Sequence, residues 1–306
     1  MTARVEDVLP ACANVMAQAR HVTVNHDAIP AYAATLLNTY TVTEKLDDTI
    51  HLVTDDKAET AAYILALDTI NFGSGWFNET GLEYNTIARE LKNAVERGKL
   101  RTPEQWRAVT ASQFSDILLT PMHPLLDHFA EFLRMTGARV IDDYDGKVMN
   151  LLAAAGGSAV KLANIVAAWD SFYDVSDYHG HKVPILKRAQ ILAADMQLAV
   201  GGFRDMVSLT AFADNMVPHV LRYDDVLTYS DDLMAMIDTD TPLPAGSEME
   251  VELRAAAIYT VDKLRAAAQV QGHMVSAVNI DHMLWHRGYE PDIYAWPRHR
   301  TLTTAY

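Results

Sequence analysis

The chain has 306 residues, half of them apolar, and a formal net charge of −15. Its single cysteine, Cys12, excludes an internal disulfide bond and a cysteine-based zinc cluster. A protein this negative repels phosphate backbones, so we expect no nucleic-acid partner. No apolar run reaches about 18 residues and no signal-peptide pattern is present, so we expect no membrane span and a cytoplasmic location.

Helical patterns follow one another along most of the chain. A capping box of Thr110 with Gln113 is one start signal, and a similar pair, Thr102 with Gln105, precedes it. Gly137 is interpreted as a helix end. The predicted helices cover 58–71, 86–97, two short segments between 102 and 119, 124–136, 158–171, 188–200, 248–270 and 279–286.

Strand signals are sparse by comparison. Only Val183 and the segments near His51 and Val140 are candidates for short strands, and no series of alternating β runs appears. We therefore predict an all-α fold. It consists of one continuous helical domain over residues 51–306, preceded by an N-terminal helical extension over residues 1–50.

The segment from 182 to 217 is the most informative part of the chain. The basic pair Lys187-Arg188 opens an apolar helix that stops at Gly201-Gly202. One carboxylate, Asp214, then stands in an otherwise apolar run, LTAFAD. Ionised carboxylates are rarely buried without a partner or a chemical role. Cations on one element and an isolated acid on the next are typical of a site for a small anionic substrate.

The histidines near the C-terminus form a second polar group. His282 and His286 are four residues apart on a predicted helix and therefore share a face, next to Asp281. This is the spacing of a helical metal pair, but the glutamate of the H-E-x-x-H pattern is missing. The pair is interpreted as ligand-facing or structural rather than metal-binding.

Two further groups have both a structural and a functional interpretation. Phe72, Trp76 and Phe77 flank a Gly-Ser-Gly segment and form either a packed helix end or a wall on which a flat heterocycle stacks. The locally basic Arg298-His299-Arg300 is either a solvated tail or an anion clamp. The residue pattern alone leaves both pairs of alternatives open.

In order and spacing, these segments resemble the queuosine salvage family, the queuosine 5′-phosphate N-glycosylases. The resemblance extends over about residues 50–306. The matching pieces are LDTINF at 67–72, KRAQILAAD at 187–195, LTAFAD at 209–214, LTYSDDL at 227–233, EVELR at 250–254, Asp281 with Leu284-Trp285, and a tail from Arg298 to Tyr306.

The resemblance implies a helical fold similar to the helix-hairpin-helix DNA glycosylases, acting on a small nucleotide without a cofactor or metal. The implied reaction is hydrolysis of the N-glycosidic bond of queuosine 5′-monophosphate, which releases queuine. By position, the catalytic aspartate of the family falls on Asp214. A base-contacting aromatic falls on Phe212, the site histidine on His51, and one late acid on Asp281.

Combining the resemblance with the residue chemistry gives a full set of expected contacts. Phe212 and Trp76 are expected to sandwich the base. Lys187 is a candidate for the 5′-phosphate, together with the basic tail. The remaining polar contacts to base or sugar are assigned to His51, Asp281, His282 and His286.

The chain departs from the family pattern at positions where the family recognises its substrate. The family has Asp-Tyr and an acid after the tryptophan, but this chain has Asp281-His282 and Trp285-His286. The stretch Asn-Phe-x-Phe-Trp of the family is respaced at 71–77. Three alternatives therefore stay open. They are an N-glycosidase for another purine-like base, a metal-dependent hydrolase using His282 and His286, and a non-catalytic nucleobase-binding protein.

Overall fold

The computed structural model describes residues 3–42 and 44–306, and these are mostly helical, as predicted. Three short 3₁₀ segments, Ser74–Trp76, Asp170–Phe172 and Met206–Ser208, connect some of the helices. The helices are α1 (Val5–Met16), α2 (Ile29–Thr39), α3 (Lys57–Thr69), α4 (Phe77–Thr80), α5 (Tyr84–Glu96), α6 (Pro103–Arg107), α7 (Ala111–Leu118), α8 (Pro124–Tyr144), α9 (Val148–Ala155), α10 (Ala159–Ala167), α11 (Lys187–Ala199), α12 (Met216–Tyr223), α13 (Asp231–Asp238), α14 (Glu248–Val270), α15 (Ala277–Arg287) and α16 (Pro291–Tyr294).

Two small antiparallel sheets complete the described fold. Strand β1 (Val22–Val24) pairs with β4 (Leu227–Tyr229), and β2 (Val175–Tyr178) pairs with β3 (His181–Pro184) through a two-residue turn. The expectation of a strand at Val183 is thus confirmed. The segment near His51 is a turn, and Val140 lies inside α8, so those two strand predictions are wrong.

Capping residues explain where several helices begin. The Asp56 side chain accepts a hydrogen bond from the Ala58 amide at the start of α3, which satisfies one of the free N–H groups of the first turn. Thr110 and Gln113 form the predicted capping box of α7. The pair at α6 is only half a box, because the Gln105 side chain accepts from the Arg101 amide instead of the Thr102 amide.

Helix α8 does not stop at Gly137, which corrects the predicted end at residue 136. The glycine serves close packing rather than termination. A Cβ atom there would lie 2.7 Å from the carbonyl oxygen of Pro103 and 2.9 Å from the amide nitrogen of Arg107. Helix α6 therefore contacts α8 along the glycine backbone, and a larger residue would separate the two helices.

The long helix α14 is the centre of the core. It packs against α1, α2, α12 and α15, and most of its residues are buried. Apolar side chains from α1 and α2, including Val8 and Leu36, belong to the same buried cluster as those of α14. Helices α3, α10 and α11 form the neighbouring layer, and the candidate site lies beside α11.

Among the described helices, none is both long and apolar enough to cross a membrane alone. Helices α9 and α10 satisfy that test only as a pair, and they are bent by 120° at their junction.

Gly137→Ala tests the close approach of α6 to α8. We expect a loss of roughly 1–3 kcal/mol in the free energy of unfolding, because the added methyl group meets backbone atoms that cannot rotate away. Chemical denaturation would measure the change. Glu131→Ala, at an exposed position of the same helix, is the control. Equal stabilities of the two variants would contradict this packing.

Candidate active site

A cavity of about 530 Å³ opens between α3, α5, α11, α15 and the segment from 209 to 215. Its volume lies within the range typical of small-molecule sites, roughly 300–1,000 Å³. Seven of the eight residues expected in the site line it, namely His51, Lys187, Phe212, Asp214, Asp281, His282 and His286. They come from four separate parts of the sequence, so this convergence comes from the fold.

Buried side chains hold the irregular segment that carries Asp214. The Gln190 side chain accepts from the Thr210 amide at 2.8 Å, and Asp281 Oδ1 accepts from the Phe212 amide at 2.7 Å. Arg254 Nε donates to the Ala213 carbonyl at 3.0 Å. Because buried backbone groups need partners, these bonds fix a chain segment that lacks regular structure.

Asp214 is placed at the entrance to α12. Its Oδ1 accepts hydrogen bonds from the amides of Met216 at 2.8 Å and Val217 at 3.3 Å. Among the described residues no hydrogen bond engages Oδ2. The side chain is half-buried and lines the cavity. One oxygen is therefore anchored while the other remains available for a ligand.

Asp281 is the more deeply buried carboxyl group of the site, with 4% of its surface exposed. Burial raises its pKa to about 7, although the hydrogen bond from the Phe212 amide acts in the opposite direction. The negative charge of Asp214 raises this pKa further. Asp281 thus positions the Phe212 backbone, and its carboxyl group lies near that of Asp214.

Lys187 is the first residue of α11 and its side chain is almost fully buried. Its Nζ donates to the carbonyl oxygen of Asn71 at 3.2 Å, and the Asn71 side-chain oxygen lies 3.5 Å away. Burial lowers the pKa of Lys187, whereas the nearby Asp214 raises it. The ammonium group is therefore close enough to Asp214 to influence charge at the site.

His51 is held by two hydrogen bonds. Its Nδ1 lies 3.0 Å from the Asp47 carbonyl oxygen, and its Nε2 lies 2.8 Å from the Tyr84 hydroxyl. A carbonyl oxygen only accepts, so Nδ1 carries the proton and Nε2 accepts from Tyr84. Burial lowers the pKa of His51 below 6.5, so the ring is mainly neutral at pH 7.

His282 and His286 line one side of the cavity from α15. Burial, with a contribution from His286, lowers the pKa of His282 to about 4, and burial also lowers the pKa of His286. The one group of His, Cys, Asp and Glu ligand atoms within ion-binding distance in the described part of the chain is His21, Glu248 and Glu252. It includes neither histidine of α15.

Trp76 is the expected site residue that the fold does not bring to the cavity. Its ring lies beside His128, with centroids 6.2 Å apart. The Gly-Ser-Gly segment before it explains this position, because Gly75 packs directly against the Thr301 backbone, leaving no space for a Cβ atom. The aromatic rings that do line the cavity are those of Phe72, Phe77, Tyr84, Phe212, Trp285, Tyr289, Tyr294 and Tyr306.

The basic tail lies beside the cavity. The Tyr306 carbonyl accepts from the Gly73 amide at 2.9 Å, which fixes the tail next to the 3₁₀ turn. Arg298 lines the cavity, and its guanidinium group lies over the Tyr294 ring. His299 is buried, and Arg300 forms ion pairs with Asp240 and Glu79. Of the three basic residues, Arg298 is thus the one in a position to contact a ligand.

Residue patterns alone did not identify Asp195 or Tyr84 as site residues. Asp195 lines the cavity from α11, eight residues after Lys187 on the same helix face. A signal was available, because an aspartate in the apolar context Ala193-Ala194-Asp195-Met196 is unusual. Tyr84 gave no such signal, since its role is a hydrogen bond to His51, which is far from it in sequence.

The fold and the cavity define a mostly helical protein with a carboxylate-rich, aromatic-lined pocket for a small polar ligand. The sequence model of the family described as "Queuosine salvage protein" matches residues 50–306. The chain belongs to this family.

Curated relatives are similar to the chain over nearly its whole length. A Sphaerobacter thermophilus protein is 36% identical over 98% of this chain and 97% of its own. A Dictyostelium discoideum protein is 32% identical over 94% of each chain, and a Mus musculus protein is 27% identical over 95% of this chain and 96% of its own. All three carry the name queuosine 5′-phosphate N-glycosylase/hydrolase.

The titration of Asp281 predicts a specific pH dependence of stability. Because burial raises its pKa from 3.8 to about 7, the folded protein keeps a proton there that the unfolded chain releases. Stability from this group is therefore fully present below the unfolded pKa and declines as the pH rises through about 7. Asp281→Asn removes the titration but keeps an oxygen for the Phe212 amide.

We expect the wild-type protein to lose stability relative to Asp281→Asn as the pH rises from about 4 to 7, by at most roughly 4 kcal/mol. Denaturation of both proteins at several pH values measures the difference. Asp116→Asn, at an exposed position, is the control and is expected to show no such trend. Parallel stability curves for wild type and Asp281→Asn would contradict the raised pKa.

Proposed function

We propose that this chain hydrolyses the N-glycosidic bond of queuosine 5′-phosphate and releases queuine and ribose 5-phosphate. The observation that carries the proposal is Asp214, which has one oxygen anchored on the N-terminus of α12 and the other available in the cavity. The names of the relatives support the same reaction.

Cleavage of an N-glycoside passes through a ribosyl cation-like transition state. The Asp214 carboxylate stabilises this positive charge or forms a covalent bond to the anomeric carbon, after which water supplies the new hydroxyl group. The departing base takes the bonding electron pair and a proton. Because queuosine is a 7-deazapurine, it has no N7 to protonate, so stabilisation of the sugar cation carries more of the catalytic effect.

The cavity also contains groups suited to the base. The Phe212 ring lies against His282, with centroids 6.0 Å apart, and offers an apolar surface next to Asp214. Asp281 provides a hydrogen-bonding carboxyl group. Both ring nitrogens of His51 already bond to Asp47 and Tyr84, so His51 contributes by holding the Tyr84 side chain at the cavity. We assign stacking of the base to Phe212 and its polar contacts to Asp281, His282 and His286.

Asp214→Asn tests the catalytic assignment. The amide oxygen can still accept from the Met216 amide, so the fold is expected to be retained while the negative charge is lost. We expect kcat to fall at least about 100-fold, the scale of one lost transition-state contact. Queuine release measured by chromatography gives the rate, and the melting temperature checks folding. A folded variant with near-wild-type turnover would refute the role of Asp214.

We assign the 5′-phosphate to two of the cationic groups that line the cavity, Lys187 and Arg298. If Lys187 contacts the phosphate, Lys187→Ala will raise KM for the nucleotide by roughly 10-fold or more and change the nucleoside KM far less. Measuring KM of Arg298→Ala for the same nucleotide and nucleoside shows how much each of the two cations contributes to phosphate binding. Equal losses on nucleotide and nucleoside would show that Lys187 is structural.

A second candidate function is the same reaction on a related purine-like base. The observation that favours it is the placement of His282 and His286 in the cavity, at positions where the family pattern has a tyrosine and an acid. A neutral imidazole both donates and accepts hydrogen bonds, whereas a carboxylate only accepts. Such a site would tolerate ligand acceptors that a carboxylate repels.

His286→Asp tests this candidate. Burial lowers the pKa of His286 below 6.5, so its protonation affects the rate of the wild-type protein on the acid side of that value. We expect the variant to shift base preference toward queuine and to show a flatter rate profile there. A panel of modified nucleotides assayed at several pH values measures both. If neither changes, His286 does not contact the base.

A further inference from the structure

One face of α11 forms a continuous wall of the cavity. Lys187, Ile191, Asp195 and Leu198 recur every three or four residues, and all four line the cavity. Lys187 stands at the end near Asp214. Eight residues separate Lys187 from Asp195, which corresponds to about 12 Å along the helix axis. The wall therefore carries a second polar group about two helical turns after Lys187.

Asp195 has no protein partner in the described part of the chain. Its residue surface is 9% exposed, and neither a hydrogen bond nor an ion pair engages its carboxyl group there, although it lines the cavity. A carboxyl group with this degree of burial is normally paired. Its free oxygens therefore point to a partner that arrives with the ligand.

Asp68, at the end of α3, adds a second carboxyl group behind this wall. It is fully buried, and among the described residues its Oδ2 has no hydrogen-bond partner, while the Asn71 side-chain nitrogen lies 3.5 Å from its Oδ1. Burial and the charge of Asp195 raise the pKa of Asp68 well above its ordinary value. Burial also raises the pKa of Asp195 to about 7. The charge of Asp195 thus disfavours ionisation of Asp68.

Neither nearby cation forms an ion pair with Asp195 in the described part of the chain. Lys187 is near enough to lower the pKa of Asp195, but its ammonium group contacts Asn71 and also lies near Asp214. Arg188 donates to the carbonyl oxygens of Thr69 and Ser171, and aromatic rings surround its guanidinium group. A positively charged ligand group at Asp195 would supply the ion-pair partner that the described residues do not.

We propose that Asp195, supported by Asp68, forms a subsite for a protonated amine of the substrate. The inference rests on the proposed function and extends it. Queuosine carries a secondary amine on the aminomethyl group at position 7 of its deazaguanine ring, and such an amine is protonated near neutral pH. The ion pair would select 7-deazaguanines with an amine over those with a neutral substituent of the same size.

A pair of free bases isolates the amine. 7-Aminomethyl-7-deazaguanine and 7-ethyl-7-deazaguanine have the same number of heavy atoms, and both lack the cyclopentenediol of queuine. Calorimetry with the wild-type protein at pH 7 is expected to show roughly 10- to 100-fold tighter binding of the aminomethyl base, the effect of one charge-assisted hydrogen bond. Equal affinities would overturn the proposal, and this arm does not depend on the folding of any variant.

Asp195→Asn tests whether Asp195 causes the preference for the aminomethyl base. The isosteric amide cannot form an ion pair, so we expect the affinity ratio of the two bases to fall to within about threefold of unity. Asp232→Asn, at an exposed position on α13, is the matched control and should keep the wild-type ratio. A folded Asp195→Asn protein with the wild-type ratio would overturn the assignment.

The outcome separates this inference from the proposed function. A protein that releases queuine from queuosine 5′-phosphate but binds the two bases equally well retains the proposed function without the amine subsite. A protein that binds neither base and releases no queuine refutes both.

Discussion

The buried ion pair between Arg254 and Asp174 is the interaction on which the site depends. Both side chains are almost fully buried, and the guanidinium group donates two hydrogen bonds of 2.8 Å to the carboxylate. Asp174 also accepts from the Lys187 amide at the start of α11, while Arg254 Nε donates to the Ala213 carbonyl. One pair thus connects α14, α11 and the segment that ends at Asp214. Removal of either partner would leave a buried charge uncompensated, at a cost of roughly 3–5 kcal/mol.

The charges of the residues that line the cavity suit the proposed reaction. Asp214, Asp281 and Asp195 all line the cavity, whereas Lys187 is the buried cation among them. An excess of carboxyl groups stabilises positive charge on a bound ligand, which suits a reaction whose transition state is a sugar cation. Burial also keeps Asp281 and Asp195 partly protonated at neutral pH, so the cavity tolerates several acids near one another.

Local patterns in the sequence predicted most helices and a large part of the site. Capping at Thr110 is determined by neighbouring residues, so it could be predicted. The isolated acid at Asp214 and the helical pair of histidines were visible for the same reason. Gly137 was misinterpreted because its role is a contact with α6, which lies far from it in sequence. Trp76 was assigned to the site because a sequence shows that a residue is aromatic but does not show in which direction its ring points.

We propose that the cavity cleaves an N-glycosidic bond and does not only bind a nucleobase. The most direct measurement is incubation of the purified protein with queuosine 5′-phosphate, followed by mass spectrometry of the products. We expect queuine and ribose 5-phosphate in equal amounts, formed over many turnovers. Recovery of the intact nucleotide bound to the protein, with no free base, would contradict the account and favour a nucleobase-binding protein.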